Sequence, residues 1–387
     1  MAPEEGGVVR VEGQRLINVS SNDYLGLSHH PALISRAQEW TALWGAGATA
    51  SRLVCGDLEP FSLLEKKLAR SKGTEAALIF NAGFQANGTV LASLLDRRIL
   101  GREPLVFSDR LNHASMHFGC QSAGVRQKRF RHRDGEHLAR LLEQTEGGEA
   151  RRFILSETVF SMDGDRADVG ALVDLARRHE AFLYLDEAHA AGVLGENGFG
   201  LSPPHATEVG LSLGTFGKGL GSFGAYVACS QEIRDYLINH CGGFIYSTAL
   251  PPAVLGAMDA ALDLMPTQEM AAARKRVLGH AERLRQALQA EGLSTGDSTT
   301  PIVPVMVGES GEASKMAALL RQRGVLAVAI RPPTVPPGTA RLRLSLSAAH
   351  SEADIDRVIE AVILTAREVE IAGVSSGSSD PRQGKVL

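Results

Sequence analysis

The chain has 387 residues, and 40 Lys and Arg against 44 Asp and Glu give it a formal net charge of -4. A protein that lives on nucleic acid usually carries a basic excess, so this balance speaks against a nucleic-acid partner and for an ordinary water-facing protein. The four cysteines, Cys55, Cys120, Cys229 and Cys241, are scattered without a C-x-x-C pair, which argues against a zinc ribbon, a redox motif or a disulfide framework.

In chain order, the opening "MAPEEGGVVR" has no basic stretch leading into an apolar one, so a secretory leader is not expected, and with reduced thiols the cytoplasm is the expected location. Residues 1–28 read as an N-terminal segment and 29–262 as a large domain. Within it "AALIF", "PLVFS", "RFILSE", "FLYLDE" and "GAYVACS" alternate with helical patterns, which predicts a mostly parallel sheet covered on both faces, an α/β fold. Asn81, Ser108, Glu157 and Asp186 fall at the carboxyl ends of these strands, where such sheets gather ligands. The basic run Arg126 to Arg133 reads as a charge-protected edge strand.

The uncharged stretch from Tyr236 to Met258 is long enough to span a bilayer. Gly242, Gly243, Pro251 and Pro252 break it, so a buried turn entering a helix is expected and a membrane is not. Residues 263–372 read as a smaller α+β C-terminal domain. "AAARKRVLGHAERLRQALQAEG" is a connecting helix, "PIVPVMV", "GVLAVAI" and "ARLRLSLS" are strands, and "EADIDRVIEAVILTAREVE" is a closing amphipathic helix. The Gly/Ser-rich 373–387 reads as a disordered tail.

The letters DEAH, Asp186 to His189, name a helicase box, but no G-x-x-x-x-G-K-[ST] loop precedes them, so the phosphate-cradling chemistry of that reading is missing. What remains is a strand ending in Asp186 and a lysine, Lys218, in the flexible context "TFGKGLG". A carboxylate and a lysine converging on a strand rim suit pyridoxal 5'-phosphate, with lysine for the Schiff base and aspartate for the pyridinium nitrogen. "FNAGFQANGTV" follows a strand and opens a helix, so the Gly83 and Phe84 amides can meet a phosphate, and the Thr215 hydroxyl can join them.

"SSNDYLGLS", "GTEAALIFNAGFQAN", "SDRLNHASMHFG", "ETVFSMDGD", "LYLDEAHAAGVLGENGFG" and "TFGKGLGSFGAY" together resemble the α-oxoamine synthases, and the likeness covers nearly the whole chain. It implies a fold-type I, aminotransferase-like architecture with a seven-stranded sheet, and a homodimer with shared active sites. It also implies that Lys218 is the Schiff-base lysine, Asp186 sits on the pyridine nitrogen and His113 stacks on the ring. His189 would bond the phenolic oxygen with help from Ser161, while Gly83, Phe84 and Thr215 would hold the phosphate. Ser247 and Thr248 would reach the partner's phosphate, Asn22 and Arg343 would lie near the substrate carboxylate, and Thr334 would touch the acyl substrate; no metal is implied.

"FIYSTALPP" and "IRPPTVPPGTARLRLSLSAAH" look most like members that join L-alanine to a pimeloyl thioester in biotin biosynthesis. The alternative is a 2-amino-3-ketobutyrate CoA ligase, which takes glycine and acetyl-CoA. Family members usually place a further helix, with an arginine linked to acyl binding, ahead of "SSNDYLG". Here that motif begins at Ser20, with Arg10 and Arg15 as possible stand-ins, so the acyl donor's Michaelis constant is the expected weak point.

Overall fold

The computed structural model describes residues 1–145 and 148–371, so the tail expected over 373–387 lies outside the described residues. Strands β1 (Ala2–Glu4), β2 (Val8–Val11) and β3 (Gln14–Asn18) open the chain. A large sheet follows, built from β4 (Ala76–Phe80), β5 (Pro104–Asp109), β6 (Gln127–Phe130), β7 (Arg151–Glu157), β8 (Phe182–Asp186), β9 (Leu211–Thr215) and β10 (Ala225–Cys229). Its order is β4-β10-β9-β8-β7-β5-β6, and only β10 runs antiparallel to its neighbours. β4, β9 and β10 are buried along their whole length, as expected of strands covered on both faces. β6 stands at the edge with Lys128 and Arg129 exposed, a charged edge that discourages pairing with another chain.

Beyond the long helix Gln268–Ala290 come β11 (Ile302–Gly308), β12 (Val325–Leu326), β13 (Val328–Ile330) and β14 (Ala340–Ser345), then the helix Glu352–Glu368. "GVLAVAI" is therefore not one strand. Val325 and Leu326 pair in parallel with Ile17 and Asn18 of β3, whereas Val328 to Ile330 pair with β14. The chain changes sheets at Ala327, so the N-terminal strands are sewn to the C-terminal part. The uncharged stretch from Tyr236 to Met258 is divided among the helices Gln231–His240, Gly242–Ile245 and Pro252–Leu264, and no described helix is long and apolar enough to cross a membrane.

The Glu of the DEAH letters belongs to the core. Glu187 and Lys72 form an ion pair whose side chains are both fully buried. Glu187 also accepts from the Leu201 amide at 2.6 Å, the Ser202 amide at 2.9 Å and the Ser202 hydroxyl at 2.6 Å, while Lys72 donates to the Phe199 carbonyl at 2.8 Å. A side chain at Gly200, whose φ is +92°, would strike the Glu187 carboxylate at 2.6 Å, so the loop can close over the pair only with glycine there.

A second polar cluster ties the end of β6 to the Val159–Arg166 turn. His132 holds Asp109 through Nδ1 at 3.0 Å and Asp165 through Nε2 at 2.8 Å. Carboxylates only accept, so both ring nitrogens carry protons. Burial opposes the charged ring, but the hydrogen bonds and charges of the two carboxylates outweigh it and push its pKa up to about 9. A raised folded pKa means stability fully present below about pH 6.5 and lost as pH rises through about 9, worth about 2 kcal/mol after discounting for solvent reaching the ring. Urea denaturation of the native protein and His132→Gln from pH 6 to pH 10 should show a stability gap that closes across this window. A gap that does not change with pH would contradict the charged bridge.

Candidate active site

Each strand rim contributes one polar group because the apolar run of a buried strand must end where the chain leaves the core. Asp186 ends β8 and Glu157 ends β7, and the two are direct cross-strand partners. Gly83 opens the Gly83–Leu94 helix, which has no side-chain cap, and the space over its α-carbon is empty to 4 Å. Its first amides are thus open to an anion. His113 is the N-cap of the Ala114–Ser122 helix, its Nδ1 accepting from the Ser115 amide at 3.2 Å.

Lys218, Asp186, His189, His113, Gly83, Phe84 and Thr215 all line one cavity, together with Asn87 and Glu157. Asp186 accepts from the Asn87 amide nitrogen at 2.6 Å and from the Ala188 backbone at 2.8 Å. The Lys218 amine lies 2.8 Å from His189 Nε2, and the Tyr24 hydroxyl lies 2.7 Å from His189 Nδ1. Burial lowers the Lys218 pKa, Asp186 and Glu157 oppose it, and the result is about 8. Burial, with the charges of Lys218 and Arg343, drives His189 well below its ordinary value, so the ring is neutral. With Lys218 donating to Nε2, the proton of the neutral ring sits on Nδ1 and is donated to Tyr24, whose own hydroxyl donates to Asn22 Oδ1 at 3.2 Å.

Burial lowers His113 as well, Asp186 partly opposing. Burial and the Asp186 charge raise Glu157 far above the carboxylate range, so it holds its proton. Its Oε1 is buried without a hydrogen-bond partner among the described residues. The Thr215 hydroxyl donates to the Gly224 carbonyl at 2.9 Å, so holding a phosphate through this group requires exchanging that bond.

The remaining expected residues stand outside the cavity lining. Arg343 of β14 is buried, and it donates to the Ser161 carbonyl at 2.5 Å, Asn22 Oδ1 at 3.1 Å and Ser345 Oγ at 2.6 Å. Ser161 therefore meets Arg343 through its backbone. Ser247 accepts from Gln85 at 2.5 Å, and the Thr248 carbonyl accepts from Asn81 at 2.7 Å, both beside the first turn of the Gly83–Leu94 helix. Thr334 is exposed in the turn between β13 and β14. Arg10 and Arg15 both pair with Glu4 on the N-terminal hairpin.

Asn87, Tyr24, Ser115 and Glu157 join the site without having been expected there by role. Glu157 carried a signal, its place at a strand end. Tyr24 and Asn87 stood inside conspicuous motifs but among other polar residues.

Residues 14–362 match the family "Aminotransferase class I and II". A Magnetococcus marinus protein described as a putative 8-amino-7-oxononanoate synthase is 61% identical over 95% of this chain and 92% of its own length. The 8-amino-7-oxononanoate synthase of Gluconacetobacter diazotrophicus is 56% identical over 94% of this chain and 92% of its own. Among solved structures, serine palmitoyltransferase from S. paucimobilis with bound PLP-myriocin aldimine superposes with a TM-score of 0.90 at 28% identity, covering 96% of this chain and 92% of that one. The chain belongs to the aminotransferase class I and II family and, within it, to the 8-amino-7-oxononanoate synthases.

Proposed function

We propose that this enzyme joins L-alanine to pimeloyl-CoA, or to a pimeloyl thioester on a carrier protein, giving 8-amino-7-oxononanoate, the free thiol and CO2 in biotin biosynthesis. The observation that carries the reading is the Lys218 amine, 2.8 Å from His189 in the same cavity as the Asp186 carboxylate. The acyl and amino-acid substrates rest on the names of the relatives.

The cofactor is pyridoxal 5'-phosphate, which when bound supplies an electron sink for a carbanion at the amino-acid α-carbon. The residues present fit it. The uncapped amides of Gly83 and Phe84 suit its phosphate, the Asp186 carboxylate suits its ring nitrogen, and the Lys218 amine suits covalent attachment. His113 would cover one ring face. The neutral His189 would face the phenolic oxygen, and Ser161 would support that contact.

With a pKa of about 8, the Lys218 amine is poised near neutral pH to take the α-proton of alanine and later return one. His189 and Tyr24 hold that amine in place and give its proton a hydrogen-bonded path toward Asn22. Asn87 pins the Asp186 carboxylate so that its charge stays aimed into the cavity. Arg343, with Asn22, would bind the alanine carboxylate as a buried guanidinium, and Thr334 would meet the acyl chain. A homodimer in the cytoplasm is the assembly we infer, with Ser247 and Thr248 reaching the partner's phosphate. The fully open Tyr246 ring next to them, 85% exposed, supports a partner there.

The test is coenzyme A release from each pairing of alanine or glycine with pimeloyl-CoA or acetyl-CoA. Each buried methylene contributes about 0.8 kcal/mol, so alanine with pimeloyl-CoA should exceed any acetyl-CoA pairing by tenfold or more in kcat/KM. Faster turnover of glycine with acetyl-CoA would replace this reading with the ligase alternative.

A further inference from the structure

Arg343 is held from one side by a short turn of chain. Val159 and Arg166 bridge, the Gly164 amide donates to the Phe160 carbonyl at 2.9 Å, and the Phe160 amide donates to the Asp165 carbonyl at 3.1 Å. The turn is therefore stiff within itself, and a displacement at Asp165 is carried to Ser161. On its inner side it meets β14 twice, through the Ser161 carbonyl at Arg343 and through an Asp163–Arg341 ion pair. Gly164 packs so closely on Ile302 that an added Cβ would lie 2.0 Å from that carbonyl. The turn thus wedges between the end of the large sheet and the strand that carries Arg343.

His132 grips the outer side of the same turn. Its Nε2 donates to Asp165, and its ring stands edge-on against the Phe160 ring, 4.4 Å between centroids at 87°. Its Nδ1 donates to Asp109 at the end of β5. Asp109 also receives the Arg133 amide at 2.8 Å and the Leu111 amide at 2.9 Å, which makes it a fixed post on the sheet. Arg133 gives Asp165 a second contact at 2.9 Å, but that guanidinium is more exposed than the His132 ring and is shared with Asp297.

Resting on the proposed role of Arg343 at the amino-acid carboxylate, we propose that His132 is a positioning residue for amino-acid binding: the doubly bonded ring ties the Val159–Arg166 turn to Asp109, and the turn holds the Arg343 guanidinium through the Ser161 carbonyl. The tie touches neither the acyl donor nor the Lys218 amine, and it meets the Lys218 chain only at second hand, where Arg343 donates to Asn22 at 3.1 Å and to Tyr24 at 3.4 Å. Its loss should therefore fall first on the KM of the amino acid, with a much smaller effect on kcat.

The experiment compares the holoenzyme with His132→Gln, His132→Lys and Asp165→Asn. Steady-state kinetics would be run with each substrate varied in turn, and hydrogen exchange would be measured over residues 158–166. His132→Gln should raise the amino-acid KM about tenfold, equivalent to about 1.4 kcal/mol, with kcat and the acyl-donor KM within about twofold. His132→Lys, which keeps a cation able to reach both carboxylates, should recover most of that loss. Asp165→Asn, which weakens the outer arm alone, should reproduce it in part, so the inference survives even if one variant misfolds. Faster exchange over 158–166 should accompany each rise in KM. Unchanged amino-acid KM in a less stable His132→Gln would overturn the inference, as would equal rises in both substrates' KM. The amino acid that the native enzyme turns over serves in these assays, so failure with alanine counts against the proposed reaction, whereas failure of the KM split counts against His132.

Discussion

Lys218→Ala should lower kcat by at least about a thousandfold, a loss of about 4 kcal/mol or more in transition-state stabilisation. The same amine is assigned both the attachment of the cofactor and the proton at the α-carbon, so no neighbour can take over both tasks. His189 is neutral but engaged with Tyr24, and Glu157 holds its own proton. The fold should not suffer. A buried amine whose pKa is depressed to about 8 from an ordinary 10.5 makes the native state less stable wherever the charged form dominates. That penalty is fully present below about pH 8 and vanishes above about pH 10.5. The variant should therefore unfold in urea no earlier than the native apoprotein at pH 7. Residual turnover within tenfold of native would refute the assignment of Lys218. Borohydride reduction of the native holoenzyme followed by peptide mass spectrometry should place the cofactor on that lysine.

Lys72→Met should cost about 3–5 kcal/mol of stability, because the Glu187 carboxylate would remain fully buried without its cation. Three other donors stay on that carboxylate, from Leu201 and Ser202, but none is charged. Removing both charges is a different matter. Lys72→Met with Glu187→Gln should recover more than half of the loss, since the larger part of the penalty is the stranded charge rather than the lost attraction. Urea midpoints for the two single variants and the double variant give the coupling directly. A Lys72→Met cost below about 1 kcal/mol would mean that water or a shifted side chain compensates Glu187.

The strand rims were legible because buried parallel strands read as apolar runs and end abruptly in polar residues. Asp186 and Glu157 stood out for that reason, and Lys218 stood out for its glycine surroundings. β9 did not, since "LSLGT" has neither a β-branched run nor an aromatic residue, and its burial between β8 and β10 is a property of the finished sheet. The change of sheets at Ala327 carries no Gly or Pro to announce it, since Leu326, Ala327 and Val328 read as one apolar run. Asn87 and Asp186 meet across 99 residues of chain, and Lys72 and Glu187 across 115. Spacing along a sequence holds no information about such meetings. The family resemblance supplied what periodicity could not, yet it named side chains one at a time and left out Tyr24 and Asn87, which connect them.

The parallel pairing of Ile17 with Val325 also sets an order of events during synthesis. Translation adds about 5–20 residues per second, so β3 waits roughly 15–60 s on the ribosome for the strand it will pair with. By then Lys218, Asp186 and His189 have long since emerged and can gather at the rim of the large sheet. Asn22 and Tyr24 follow directly after β3, and Arg343 emerges later than β12. The nascent chain therefore holds Lys218 well before the cluster around Arg343 can close. A translation product cut off before β12 would keep the first group and lack the second.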